Sequence, residues 1–140
     1  MTKIIFCTLL VLIAAYPAAA QEKPTVFVTD DFYIRERFWF ENPKGVLDEL
    51  SPHLDAEAEE LARSFAKNCD CLITSKPGEA DYVLIVSWHD LKYGAKLAPK
   101  RYVLLKADDD QLISKGSVRR VKNIISDSCK AIQKERKQSN

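Results

Sequence analysis

Tyr82-Val83-Leu84-Ile85-Val86-Ser87-Trp88 decides the fold, because apolar side chains fill both alternating sets of positions in a short run rich in β-branched residues. A strand with one wet face would alternate, so this one reads as central and covered, at least in part, on both faces. Beyond it, 93–99 makes a loop and Arg101-Tyr102-Val103-Leu104-Leu105 a further strand. Asp108-Asp109-Asp110 forms a tight polar turn, and Gln111 to Ser117 a more polar edge strand, so these three strands predict an antiparallel meander. Before it, Lys76-Pro77-Gly78 is a turn and Cys71-Leu72-Ile73-Thr74 a short strand. Thr25-Val26-Phe27-Val28, ended by Asp30-Asp31, is the first strand, preceded by a short mobile arm from Gln21 to Pro24.

Two amphipathic helices complete the pattern. Leu54, Ala58, Leu61, Phe65 and Cys69 recur at spacings of four, three, four and four, which predicts a helix from about Ser51 to Asn68 with Ser51 as cap and Pro52 in its first turn. Its acids Asp55, Glu57, Glu59 and Glu60 come early and Arg63 and Lys67 late, in the order that complements the helix dipole. Val118, Val121, Ile125, Cys129 and Ile132 predict a final helix from about Val118 to Lys137. The order β-α-β-β-β-β-α, with the first two strands set parallel by a crossover, gives an α+β two-layer sandwich: a mixed sheet with two main helices on one face.

The compartment is written at the amino terminus. Lys3, the apolar run from Ile4 to Tyr16 and the closing Pro17-Ala18-Ala19-Ala20 follow the grammar of a signal peptide over residues 1–20, cleaved before Gln21 and leaving one domain over 21–140. The run is short for a membrane span, and Cys7 lies inside it instead of at a lipidation site, so no stable membrane insertion is expected after cleavage. The chain carries 21 basic and 20 acidic side chains; loss of Lys3 leaves it formally neutral, against a nucleic-acid-coating role.

Three cysteines remain in what is then an oxidising compartment, so at most one internal bridge forms. Cys69 and Cys71 compete for Cys129; Cys69 and Cys129 share the inward stripes of the two helices, which favours the Cys69–Cys129 pairing. The alternative is a redox pair from Cys69-Asp70-Cys71, but this C-x-C follows a helix end, where the dipole raises a thiol's pKa.

Catalytic and metal chemistry finds little footing. Ser87, His89 and Asp90 suggest a hydrolase, yet strand alternation would put Asp90 on the face opposite Ser87 and His89, and no Gly-x-Ser-x-Gly surrounds the serine. His53 and His89 belong to no metal-ligand spacing, and Asp108 to Asp110 lacks the glycine and terminal glutamate of a calcium loop, so no cofactor, metal or catalytic residue is assigned. Two surfaces remain. In Phe32 to Phe40, Tyr33, Arg35, Arg37 and Trp39 alternate with Phe32, Ile34, Phe38 and Phe40; one set either anchors a partner or the whole segment roofs the bare sheet face. Lys100, Arg101, Arg119, Arg120 and Lys122 form a basic patch, or else a solvated helix face.

The strand Pro24 to Asp30, the helix end Phe65-Ala66-Lys67-Asn68-Cys69, the strand Ala80 to Ile85 and the helix Val121 to Ile132 resemble a group of small uncharacterised exported bacterial α/β proteins. More distantly, the Ala80-Asp81-Tyr82 strand and the strand order resemble the N-terminal domain of TolB and the related CsgG-type envelope proteins. That resemblance implies an envelope-associated binding module. The expected function is therefore a non-enzymatic, periplasmic or secreted module that binds a protein or envelope component through Tyr33, Arg35, Arg37 and Trp39. The alternative is a small secreted hydrolase-like enzyme using Ser87 and His89.

Overall fold

The run 82–87 forms β3 (Tyr82–Ser87), the middle strand of a five-stranded sheet, and every residue in it is buried. A computed structural model describes residues 22–31, 56–92 and 98–139. Within them the order is β1 (Thr25–Asp31), α1 (Ala56–Asn68), β2 (Leu72–Thr74), β3, α2 (Trp88–Lys92), β4 (Lys100–Lys106), β5 (Leu112–Val118) and α3 (Val121–Gln138). The sheet runs β2-β1-β3-β4-β5; β1 is parallel to both β2 and β3, and β3, β4 and β5 form the antiparallel meander. The α+β class and mixed sheet agree with the sequence, with one short helix, α2, added.

Alternation along the strands sorts the core onto two faces. Val26, Val28, Leu84, Val86 and Leu104 meet Leu61 and Phe65 of α1 and Ile124, Ile125 and Ile132 of α3 in one cluster, so both main helices lie on the same face. On the other face Phe27, Val83, Ile85, Val103 and Leu105 are at most 1% exposed, and the described side chains flanking them are Ala80 and Ala107. The central strands are thus withdrawn from water on both sides, as the apolar run 82–86 requires. Cys69 and Cys129 come to disulfide distance, their Cα atoms 5.7 Å apart, where α1 ends beside α3.

Boundaries differ where local signals were ambiguous. The final helix starts at Val121, not Val118, because Val118 pairs with Lys100 in the β4–β5 ladder; a spacing of three suited either assignment. Residues 51–55, including the expected cap Ser51, lie outside the described residues. The arm expected to be mobile is pinned from Glu22 onward. Lys23 pairs with Asp70 at 2.7 Å, Arg136 donates to the Glu22 carbonyl at 2.6 Å, and the Pro24 carbonyl accepts the Leu72 amide at 2.8 Å, starting the parallel ladder. The aspartate turn is as read: Lys106 N–H donates to the Gln111 carbonyl, Gln111 N–H donates to Asp109 Oδ1, and Asp110 takes the left-handed backbone, φ 56°, that aspartate tolerates better than most residues.

Two packing details carry predictions. Gly116 faces Tyr102 across the β4–β5 ladder, and a Cβ there would lie 2.8 Å from the ring carbon Cε1. Tyr102 is only 3% exposed, so its ring has little room to yield. Gly116→Ala is expected to destabilise the fold by about 1–3 kcal/mol; in urea unfolding, adding Tyr102→Leu should recover part of the loss. Ser128 of α3 is fully buried, and among the described residues its hydroxyl finds no hydrogen-bond partner. Ser128→Ala is therefore expected to leave stability unchanged or raise it by about 1 kcal/mol. A clear drop in the urea midpoint would show that the hydroxyl is bonded.

Candidate functional site

The chain leaves the carboxyl end of β1 towards β2 on one side of the sheet and the carboxyl end of β3 towards β4 on the other. Between two such parallel neighbours lies a topological switch point, the place where open α/β sheets receive ligands. Burial of polar groups concentrates there. Of the six buried polar or charged residues among those described, Thr29, Asp30, Ser87, Asp90 and Lys100 belong to this end and Ser128 does not.

Asp90 organises the cluster. Its Oδ2 accepts from the Arg101 amide at 3.1 Å and from Arg101 Nε at 3.0 Å, while Oδ1 accepts from Nη2 at 3.0 Å. The fork ties α2 to the first residues of β4, with the two side chains 7% and 23% exposed. Burial pushes the Asp90 carboxyl upward, but the hydrogen bonds and charge of Arg101, with the Ser87 hydroxyl, outweigh it and hold the group below its ordinary value. Ser87 is fully buried, and its Oγ also accepts the Asp90 amide at 3.4 Å.

This arrangement corrects the strand reading of 87–90. Ser87-Trp88-His89-Asp90 has the spacing of a capping box, serine before a one-turn helix and an acid three residues on, and that signal was present in the sequence. The helix ends strand alternation at Ser87, so the expectation that Asp90 points away from Ser87 does not hold: the two are bonded. A nucleophile needs an open approach and a base; the Ser87 hydroxyl is sealed and committed to Asp90. The side chain of His89 lies outside those described.

The expected basic patch is divided. Lys100 is buried and donates to the Ala98 carbonyl at 3.3 Å, and Arg101 is paired with Asp90, which leaves Arg119, Arg120 and Lys122 exposed around the start of α3. Tyr33, Arg35, Arg37 and Trp39 lie outside the described residues, and the chain enters their segment from Asp31, at the carboxyl end of β1. Among the described residues no group of three or more His, Cys, Asp or Glu is placed to hold a metal ion, and no helix is long and apolar enough to cross a membrane.

Cys71, the thiol outside the bridge, is buried beside it in the same apolar cluster. Burial first, then the charge of Asp70, push its pKa up to about 11 against a smaller opposing effect of Lys23. At neutral pH it is a protonated thiol and a poor nucleophile towards its neighbouring disulfide. Iodoacetamide is accordingly expected to label Cys71 only on unfolding; ready labelling of the native protein at pH 7 would contradict this.

A second polar constellation stands at the opposite end of the sheet. Tyr82, the first residue of β3, donates its hydroxyl to Glu135 near the end of α3. Ser139 Oγ lies 3.0 Å from Glu135 Oε1, and Lys106 Nζ lies 3.5 Å from the same oxygen. The Tyr82 hydrogen bond, opposed by burial and helped by Ser139 and Lys106, holds the Glu135 carboxyl below its usual value. Burial and the same carboxylate raise the Tyr82 phenol well above its own. An acid in a helix's last turn opposes the dipole, so Glu135 among Lys134, Arg136 and Lys137 was a legible sign of an outside partner.

Comparison of the chain with protein-family models, with curated proteins and with solved structures finds no match.

Proposed function

We propose that this chain is an exported, non-enzymatic binding module of the bacterial envelope that engages a protein partner through Tyr33, Arg35, Arg37 and Trp39. The observation that carries the reading is the locked end of the sheet. Asp31, from which the aromatic and cationic segment departs, pairs in register with Ser87, and Ser87 is bonded to the Asp90–Arg101 fork. The point from which the segment departs is thus held by the sheet and by the fork. Tyrosine, tryptophan and arginine are the side chains that most often anchor interfaces. Export is supported by the leader grammar of residues 1–20 and by a cysteine pair at bonding distance, which an oxidising compartment would keep closed. The hydrolase alternative is disfavoured by a serine whose hydroxyl is enclosed.

Capture from envelope extract tests the reading. The wild-type chain should retain a partner at near-stoichiometric yield, Arg37→Ala and Trp39→Ala should lose it, and Arg119→Ala should not. Equal capture by all four proteins would remove the proposed surface. Cell fractionation with amino-terminal sequencing tests export separately, and a mature terminus at Gln21 is expected.

A further inference from the structure

A cleft of about 570 Å³ opens at the amino-terminal ends of β1 and β3, beside the last turn of α3 and far along the sheet from the switch point. Its size is that of small-molecule sites, which join a shaped wall to a few convergent polar groups. The wall is built: Tyr82, 4% exposed, and Glu135 fix one another, and Asp81 and Thr25 exchange two hydrogen bonds, Asp81 Oδ2 accepting at 2.7 Å and the Thr25 carbonyl at 2.8 Å.

The lining holds three cationic and four acidic side chains. An ordinary charge-assisted contact spans about 2.7–2.9 Å, whereas Lys106 Nζ stands 3.5 Å from Glu135 and 3.9 Å from Asp108. Its ammonium pairs with both carboxylates at these longer distances, and with three N–H donors it keeps capacity for a further acceptor. Arg136 places one guanidinium nitrogen on the Glu22 carbonyl, and a guanidinium has five N–H donors in all. Asp81 and Asp108 are both exposed at the rim, and the carboxyl end of α3 adds partial negative charge. A purely anionic ligand would meet these carboxylates, and a purely cationic one would meet Lys106 and Arg136.

We propose that this cleft binds a small zwitterion of the free amino acid or dipeptide class, its carboxylate on Lys106 and Arg136 and its ammonium facing Asp81 and Asp108. The site is separate from the partner-binding segment, and either can fail without the other.

Titration of the full mature chain with L-alanyl-L-alanine, followed by amide chemical shifts, tests this. Saturable shifts are expected at Thr25, Asp81, Tyr82 and Lys106. Lys106→Met and Arg136→Met should each weaken binding about tenfold with unfolding midpoints close to wild type. Putrescine and succinate, carrying one sign of charge each, should bind at least about tenfold more weakly. Absence of saturation by roughly 10 mM, a weak limit for a specific small ligand, would overturn the proposal. So would shifts confined to other residues, or equal binding of either single-sign probe.

Discussion

The double variant Cys69→Ser/Cys129→Ser is expected to lose about 4 kcal/mol of unfolding free energy, a large share of what holds a domain of this size. The two cysteines are 60 residues apart in sequence, and in the chain-entropy account a cross-link over such a loop removes freedom from the unfolded state on that scale. The bridge also joins α1, which packs over β1 and β2, to α3, which packs over β4 and β5, so its loss frees the two halves of the helical layer together. Urea unfolding with and without reductant measures the effect. Reduced wild type and the double variant should coincide, and non-reducing peptide maps should link residue 69 to residue 129. A single Cys69→Ser change is less informative, since Cys71 sits in the same cluster as Cys129 and is then the remaining candidate partner. Equal midpoints for oxidised and reduced protein would refute the stabilising role.

Arg101→Met is expected to cost about 2–3 kcal/mol at neutral pH. Removing one member of a buried pair leaves an uncompensated charge, worth roughly 3–5 kcal/mol when both are fully enclosed, and Arg101 keeps 23% of its side chain exposed. The loss should depend on pH in a definite direction. In wild type the Asp90 carboxyl is held below its ordinary value. Its contribution is therefore present above the unfolded aspartate pKa of about 3.9 and fades as pH falls through the lower folded value. Without Arg101, burial dominates and raises the same group, so the variant regains part of its deficit on acidification. Urea midpoints between pH 7 and pH 3 should converge; a deficit independent of pH would point to lost packing of the arginine stem instead.

Those predictions draw on parts of the molecule that were unequally visible beforehand. β3, the meander and both helical stripes follow from short-range periodicity, which is why Leu61, Phe65, Ile125, Cys129 and Ile132 could be assigned to the core from spacing alone. The one-turn helix α2 is masked in the sequence because five residues complete too little of a 3.6-residue period to outweigh the apolar run before them, although the spacing of Ser87 and Asp90 is that of a capping box. The β5–α3 junction lies three residues beyond where spacing puts it, because Val118 satisfies both periods. The Tyr82–Glu135–Lys106 constellation is different in kind. Its members are brought together only by the sheet order and the position of α3, separations that no local pattern encodes.

The disulfide bears on the timing of maturation. Synthesis delivers Cys69 sixty residues and Cys71 fifty-eight residues ahead of Cys129, so an oxidant meeting the emerging chain beyond its first twenty residues finds only two thiols, too close in sequence to join easily. Closure has to wait until nearly the whole chain has been made. The bond is therefore a late seal on a finished layer, and an oxidase acting on this protein is expected to meet it from behind, after its last helix has appeared.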